Sequence, residues 1–219
     1  MDTCCATDLE LGFDDRVAAR DVAAYRRNGL PADQRRLLAA LVEDGIEGHS
    51  VLDIGGGIGA IHHDILRAGA RLVTDVDGST AYLRAAQEEA RRQGHLARIS
   101  YRHGDFVRLA GQIEPADVVI LLRVLCCYPD MPALVRASAR RARRSYGVVY
   151  PRSTWWMRAA ARAYEALRPV AGPIAGPGYV HPERVVDATV RGEGFAPAVV
   201  DSTWYWRIAL YRRVGPPPA

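Results

Sequence analysis

The sequence predicts an α/β fold with a doubly wound, mostly parallel sheet, and three observations predict it. Short apolar runs alternate with amphipathic stretches of helical period between residues 50 and 150. The first of these runs leads into a glycine-rich turn, "VLDIGGGIGA" at 51–60, and two strand-like runs lie near the end of the chain. Because parallel strands need a crossover connection, usually a helix, the alternation favours a parallel sheet covered on both faces.

Each element is placed by its apolar period and by the residues that start and stop it. Two helices come first, at 14–29 and 31–45, and each ends at a glycine. Five strands are then predicted, at 50–54, 71–76, 98–102, 117–122 and 146–150. The helices between them are predicted at 59–68, 79–93 and 129–145. Two further helices, at 154–170 and 181–194, precede a strand pair within 195–214.

The composition is that of an ordinary globular chain of 219 residues and favours a single domain over 1–219. Within it we expect flexible ends at 1–13 and 214–219, N-terminal helices at 14–45, and a helical lid and acceptor region at 152–194. No apolar leader is visible, and the longest apolar run, "VVILL", is far too short for a bilayer. We therefore expect a cytoplasmic protein without stable membrane insertion.

Charge and cysteine spacing argue against two classes of partner. The formal net charge is +4, and the basic side chains are all arginine. The densest arginine cluster, at 136–146, predicts a helix with a solvated face, because it lacks the interleaved aromatics of a nucleic-acid surface. The cysteines form two adjacent pairs, Cys4–Cys5 and Cys126–Cys127, whereas zinc ligands usually stand two to four residues apart. We expect free thiols, no metal and no nucleic-acid partner.

The glycine-rich turn predicts a ligand site. Glycines between a strand and a helix let a ligand touch the backbone, and the helix start supplies free N–H groups. Gly55, Gly57 and Ala60 also satisfy a dinucleotide fingerprint, so a nicotinamide-dependent reductase remains an alternative. Asp53 argues against it, because a carboxylate near the end of this strand gains nothing from a dinucleotide's phosphates.

Two later strand ends carry carboxylates of their own. Asp77 ends the second strand in "LVTDVDGS", where it is suited to gripping ribose hydroxyls. Gly104, Asp105 and Phe106 follow the third strand in "YRHGDF", where a carboxylate beside an aromatic ring can hold an adenine amino group. Because the carboxyl ends of parallel strands meet at one edge of a sheet, these groups should face one ligand.

The order of "VLDIGGGIG", "VTDVDGS", "RHGDF" and "ADVVILLRVLCCYPD" resembles the class I S-adenosylmethionine-dependent methyltransferases over 25–150. "YRRNGL", "YPRSTWW" and "YVHP" are similar to a bacterial branch distantly related to the magnesium-protoporphyrin O-methyltransferases. The resemblance implies a Rossmann-like, seven-stranded sheet with an antiparallel C-terminal edge strand. It also implies S-adenosyl-L-methionine as cofactor, S-adenosyl-L-homocysteine as product and in-line transfer of the sulfonium methyl.

The resemblance also implies a role for each residue of the cofactor site. Gly55, Gly57 and Gly59 would line the amino-acid part, and Asp53 would orient the loop and the ammonium. Asp77 would bind the ribose, with Asp75 as a rival for that role. Other positions implied in cofactor binding are Tyr25 of the N-terminal cover, Gly104, Asp105, Phe106, Leu122 and Arg123. The branch leads us to expect an acidic residue at position 122, so Leu122 puts a catalytic carboxylate there in doubt.

Catalytic residues are harder to recognise in the sequence than cofactor-binding residues. Much of the acceleration of methyl transfer can come from positioning the reactants, which requires no fixed catalytic motif. Tyr128 after the fourth strand and His181 before the last helix are the candidate catalytic residues, His181 as a base or a helix cap. Trp155, Trp156 and Met157 are candidates for an apolar acceptor pocket or for core. Other side chains considered at the site are Arg26, Arg27, His62 and His63.

The acceptor is expected to be a small apolar or aromatic molecule. Methylation of oxygen, nitrogen or carbon stays open, as does a homodimer. A second hypothesis keeps the cofactor without the reaction, as in a cyclase.

Overall fold

The computed structural model describes residues 12–171 and 179–215. Its centre is a seven-stranded sheet in the order β3-β2-β1-β4-β5-β7-β6, which confirms the predicted fold class. The strands are β1 Ser50–Ile54, β2 Leu72–Asp77, β3 Ile99–His103, β4 Ala116–Leu122, β5 Ala142–Pro151, β6 Phe195–Ser202 and β7 Trp206–Arg213. β1 to β5 pair in parallel, and β7 is antiparallel to both β5 and β6, so β7 lies one strand in from the edge.

The helices fall where the apolar period predicts them, apart from the short α5, which was not predicted, and one shift described below. They are α1 Asp15–Asn28, α2 Ala32–Glu43, α3 Ala60–Arg67, α4 Thr80–Arg92, α5 Phe106–Leu109, α6 Met131–Ala139, α7 Trp155–Ala171 and α8 Glu183–Gly192. Short 3₁₀ turns occupy Leu96–Arg98, Ala110–Gln112 and Leu125–Cys127. None of the helices described is both long and apolar enough to cross a membrane.

The arginine cluster corrects the prediction of one long helix over 129–145. α6 ends at Ala139, and β5 begins at Ala142, which pairs with Ala116 of β4. Ser145 is buried, whereas Arg143 and Arg144 are exposed at the start of the strand. Pairing with β4 therefore overrides the helix propensity of the alanines and arginines.

The core lies on both faces of the sheet. On one face Leu52, Val119 and Leu121 pack with α6 and α8, and Val186 and Val190 of α8 are fully buried there. α8 therefore belongs to the core, although it falls within the region predicted as a lid. The other face packs against α2 and α3 through a second buried cluster. This second face carries the acidic side chains of β1 and β2 that concern the site.

The predicted flexible ends fall mostly outside the described residues. Residues 1–11, which include Cys4 and Cys5, and 216–219 lie there, as does the Pro/Gly loop at 172–178. Phe13 is described and places its ring 5.2 Å from that of Tyr82.

Candidate active site

A cavity of about 820 Å³ opens at the carboxyl ends of β1, β2 and β4, beneath α1. Cavities of this size suit a nucleotide-sized ligand. Ten of the residues singled out from the sequence line it: Tyr25, Gly55, Gly57, Asp77, Gly104, Asp105, Phe106, Leu122, Arg123 and Tyr128. Asp53, Gly59 and His181 are not among the lining residues.

The glycine loop forms the floor of the cavity and is pressed against its neighbours. Gly55 has φ +69°, and a Cβ there would lie 2.4 Å from Val124 Cγ2. The Gly55 amide donates to Val76 O over 2.7 Å, which ties the loop to β2. A residue with a side chain would have to be strained and would displace Val124. The backbone itself is therefore the surface that a ligand meets.

Asp77 is the carboxylate that reaches the cavity, whereas Asp75 is fully buried below it. Asp77 Oδ2 accepts a hydrogen bond from the Gly57 amide over 2.8 Å, and Oδ1 accepts one from Ser79 over 2.7 Å. Burial raises the pKa of Asp77, while these two amides act in the opposite direction. Asp77 therefore links the glycine loop to the start of α4 and presents its carboxylate at the strand end.

Asp53 acts from beneath the loop. Its side chain is completely buried, and Oδ2 accepts a hydrogen bond from His62 Nε2 over 2.9 Å. Burial lowers the pKa of His62, but the Asp53 hydrogen bond and the charge of Asp75 outweigh it and leave that pKa raised. Gly59, with φ +69°, begins α3 directly above this imidazole. Asp53 and Gly59 thus shape the loop without facing the cavity.

The opposite wall combines Asp105 with Tyr128. Asp105 begins α5, where Oδ1 accepts a hydrogen bond from the Val107 amide over 2.9 Å. The Tyr128 hydroxyl lies 3.3 Å from each Asp105 carboxylate oxygen. Phe106 is buried beside them. This wall brings an ionisable carboxylate and a phenol together in the cavity.

Arg123, at the end of β4, has an unusual backbone and two strong partners. Its φ of +63° is in the left-handed region, which non-glycine residues rarely occupy outside strained functional sites. The guanidinium donates to both oxygens of buried Asp33, over 2.9 and 2.7 Å. It also lies 4.6 Å from the ring centroid of Trp206. Leu122 lines the cavity just before it, where a carboxylate had been expected.

α1 covers the cavity and is fastened to α4. The Tyr82 hydroxyl donates to Asp21 Oδ2 over 2.8 Å, and Arg26 donates to Glu89 over 2.8 Å. Arg26 is therefore engaged with a buried carboxylate instead of being free for a cofactor. Arg20 and Arg35 are the arginines of this region that line the cavity, and the sequence did not single them out.

The α1–α4 link predicts a specific acid sensitivity. Hydrogen bonds from Arg92, and then from Gln93 and Arg26, hold the pKa of Glu89 at about 2, below its usual 4.5. The stabilisation from this depressed pKa is present above pH 4.5 and is lost as the pH falls towards 2. Glu89→Gln should reduce stability at pH 7 and flatten its pH dependence between pH 4.5 and 2.

Urea unfolding at several pH values measures this effect. Glu88→Gln, an exposed neighbour on the same helix, is the matched control and should behave like the wild type. Parallel pH profiles for the Glu89 variant and the wild type would contradict the prediction.

His181 lies outside the cavity lining, and its contacts are with the turn after β4. Its Nε2 donates to Leu125 O over 2.9 Å and to Tyr128 O over 3.1 Å. Burial lowers its pKa, while these two carbonyls oppose the change. The imidazole therefore fixes the turn after β4 from behind, and it does not begin α8, where Pro182 is the cap.

The aromatic start of α7 also lies outside the cavity lining. Met157 is buried, whereas Trp155 is 76% exposed. Trp156 stacks on Trp204, with ring centroids 6.1 Å apart. Of the three candidates for an acceptor pocket, Met157 therefore belongs to the core, and Trp155 and Trp156 lie at the surface.

The cysteines beside the cavity are free thiols, as expected. Cys127 lines the cavity, and Cys126 Sγ donates to Arg123 O over 3.1 Å. Within the described part of the chain, no three His, Cys, Asp or Glu residues are grouped to hold a metal ion.

Comparisons with known proteins show what this chain is similar to. Residues 51–145 match the family model described as a methyltransferase domain. A ubiquinone biosynthesis O-methyltransferase from Alkalilimnicola ehrlichii is 34% identical over 107 residues, which are 48% of this chain and 42% of that protein. The chain thus matches less than half the length of this curated relative.

Solved structures share the fold. Magnesium protoporphyrin IX methyltransferase from Synechocystis PCC 6803, crystallised with S-adenosylhomocysteine, has a TM-score of 0.71 and 24% identity, with 94% of this chain and 95% of that one covered. The cyclase SpnF has a TM-score of 0.65 and 14% identity, with 84% and 81% covered. At these identities the likeness concerns the fold alone. Residues 51–145 thus match a methyltransferase domain, in a chain whose fold these solved structures share.

Proposed function

We propose that the chain transfers a methyl group from S-adenosylmethionine to an oxygen of a small, apolar and aromatic acceptor. The observation that carries the proposal is that the glycine loop and Asp77 line one cavity and are joined there by the hydrogen bond from the Gly57 amide to Asp77. The cofactor fits these residues, because the glycine backbone itself lines the cavity and the Asp77 carboxylate stands beside it at the end of β2. When bound, it supplies an electrophilic methyl group on a sulfonium.

The residues of the chain bind and orient the reactants. The Gly55–Gly57 backbone and Asp77 would hold the amino-acid and ribose parts, and Asp105 with Phe106 would hold the adenine. α1 excludes water from above, through its links to Tyr82 and Glu89. Excluding water and aligning the acceptor supply much of the acceleration in such a displacement.

The acceptor side is aromatic. Arg123 stacks on Trp206, whose ring lies 4.7 Å from Tyr205, and Tyr205 lies 5.4 Å from Trp204. This series leads from a cavity-lining residue to Trp204, which is 75% exposed. Rings of this kind favour a planar, apolar acceptor. The name of the curated relative, a ubiquinone biosynthesis O-methyltransferase, supports oxygen as the acceptor atom.

Tyr128 is the proposed catalytic residue, because Leu122 leaves no carboxylate at the end of β4. Its hydroxyl can accept the proton of the acceptor hydroxyl as the methyl group arrives, because it passes its own proton to the Asp105 carboxylate 3.3 Å away. General acid–base groups contribute about 10²–10⁴-fold to rates. Tyr128→Phe should lower kcat by about 100-fold and leave the Kd for S-adenosylhomocysteine unchanged.

The test is a screen of phenols, aromatic carboxylic acids and amines with S-adenosylmethionine, followed by mass spectrometry of the methylated product. His181→Gln is the matched control, because glutamine can still donate to the two carbonyls, and its kcat should stay near the wild-type value. Equal kcat for Tyr128→Phe and wild type would rule Tyr128 out. Cofactor binding with no acceptor methylated would favour the cyclase alternative.

A further inference from the structure

Three ionisable side chains lie beneath the glycine loop, out of reach of solvent. Asp53 on β1 and Asp75 on β2 are register partners in the sheet, and His62 of α3 lies against them. All three have an exposed fraction of 0%. Fully buried carboxyl groups are rare unless they are paired. Here a single imidazole, His62, is the neighbouring base for two of them.

The glycine loop rests directly on this cluster. A Cβ at Gly56 would lie 2.5 Å from Asp75 Oδ1 and 3.0 Å from His62 Nε2. A Cβ at Gly59 would lie 2.8 Å from His62 Nδ1. Because Gly56 also lines the cavity, a single thickness of backbone separates Asp75 from whatever the cavity holds.

The two carboxyl groups are not equivalent. Asp53 accepts the hydrogen bond from His62, which makes a compensated pair. Neither Asp75 oxygen has a partner at hydrogen-bonding geometry among the described residues. A buried carboxylate without donors is strongly disfavoured relative to the neutral acid. Asp75 therefore holds a proton unless a further positive charge comes near it.

The groups that face Asp75 from each neighbouring element support this state. Burial raises the pKa of Asp75 well above its usual value, and the charges of Asp53 and Asp77 add to that effect. His62 acts in the opposite direction, as does the Gly56 amide, which lies close to Asp75 but outside good hydrogen-bonding geometry. Tyr101, its register partner on β3, stays neutral because burial and Asp75 raise the pKa of the phenol.

We propose that Asp75 is the buried counter-charge of the cofactor and gives up its proton when a cation is held over Gly56. The inference rests on the proposed function. S-adenosylmethionine carries an ammonium, a sulfonium and a carboxylate, so its net charge is +1, whereas S-adenosylhomocysteine is neutral overall. A nearby positive charge favours the ionised carboxylate. The O–H bond of the Asp75 carboxyl group breaks and its proton passes to the buffer; no other bond changes. The +1 charge of the bound ligand is then balanced by the −1 charge of the Asp75 carboxylate.

Calorimetry measures the released proton directly. S-adenosylmethionine is titrated at one pH in two buffers of different ionisation enthalpy, and the difference in heat gives the number of protons exchanged. The wild type should release up to about one proton, and its affinity should rise by up to about tenfold per pH unit below the pKa of free Asp75. S-adenosylhomocysteine should release fewer protons, because it lacks the sulfonium.

Asp75→Asn keeps the shape of the side chain and removes the proton. This variant should show no such release and a flat affinity over the same pH range. Asp117→Asn is the matched control, because it lies at the start of β4 near Ser50, away from the cavity, and it should behave like the wild type.

Equal proton release by the wild type and Asp75→Asn would overturn the inference. If the Asp75 variant does not fold, the wild type still decides, since zero proton release with tight binding also overturns it. Absence of any S-adenosylmethionine binding to the wild type would overturn the proposed function and this inference together.

Discussion

Asp77→Ala is expected to weaken binding of S-adenosylhomocysteine by about 100-fold or more. Its two carboxylate oxygens hold the Gly57 and Ser79 amides, so the variant releases both the glycine loop and the start of α4. Hydrogen bonds to a charged group are worth about 1.5–3 kcal/mol each, and about 2.7 kcal/mol corresponds to a 100-fold change in Kd. Isothermal titration of the variant and the wild type measures the change.

The control for this experiment is Asp187→Ala, which removes a surface carboxylate of α8 that pairs with Arg191. Its affinity should match that of the wild type. A change of less than about threefold for Asp77→Ala would contradict the assigned role, provided that circular dichroism shows a folded variant. If the wild type binds nicotinamide dinucleotides and not S-adenosylhomocysteine, the reductase alternative is favoured instead.

Arg123→Ala is expected to destabilise the fold by about 3 kcal/mol. The Asp33 side chain is 4% exposed, and Arg123 supplies both of its charged hydrogen bonds. Removing one partner of a buried ion pair leaves an uncompensated charge, which costs about 3–5 kcal/mol. Because Asp33 lies in the first turn of α2 and Arg123 directly follows β4, the variant should also loosen the docking of α2. Urea unfolding measures the loss.

An exposed ion pair provides the matched control. Arg36 and Asp201 also join α2 to the sheet, but their side chains are 48% and 44% exposed. Arg36→Ala should therefore cost less than about 1 kcal/mol. Similar small losses for the two arginine variants would contradict the prediction. Adding Asp33→Asn to Arg123→Ala should recover part of the stability, because it removes the stranded charge.

Local patterns were sufficient for the sheet and for the residues at its strand ends. Alternating apolar runs predicted five parallel strands, and glycines predicted the positions where helices stop. Of the two rival carboxylates of the second strand, Asp77 is the one that lines the cavity. Each of these patterns spans only a few consecutive residues, so it can be recognised without information about tertiary contacts.

Features made by distant partners were not predictable in this way. The start of β5 at Ala142 depends on pairing with β4, although its residues favour a helix. Glu89 and Asp33 look like ordinary helix-surface acids until Arg26 and Arg123 are brought to them. His181 resembles a base in sequence, and only the nearness of Leu125 and Tyr128 shows that two carbonyls occupy its Nε2.

The sequence by itself therefore determined the fold class and which strand ends line the cavity, because both depend on short-range order along the chain. Only the tertiary structure decided the charge state of the site. Asp53 and Asp75 are 22 residues apart in the chain yet register partners in the sheet. Burial raises the pKa of Asp75, and burial is a property of the folded molecule that no stretch of sequence carries alone.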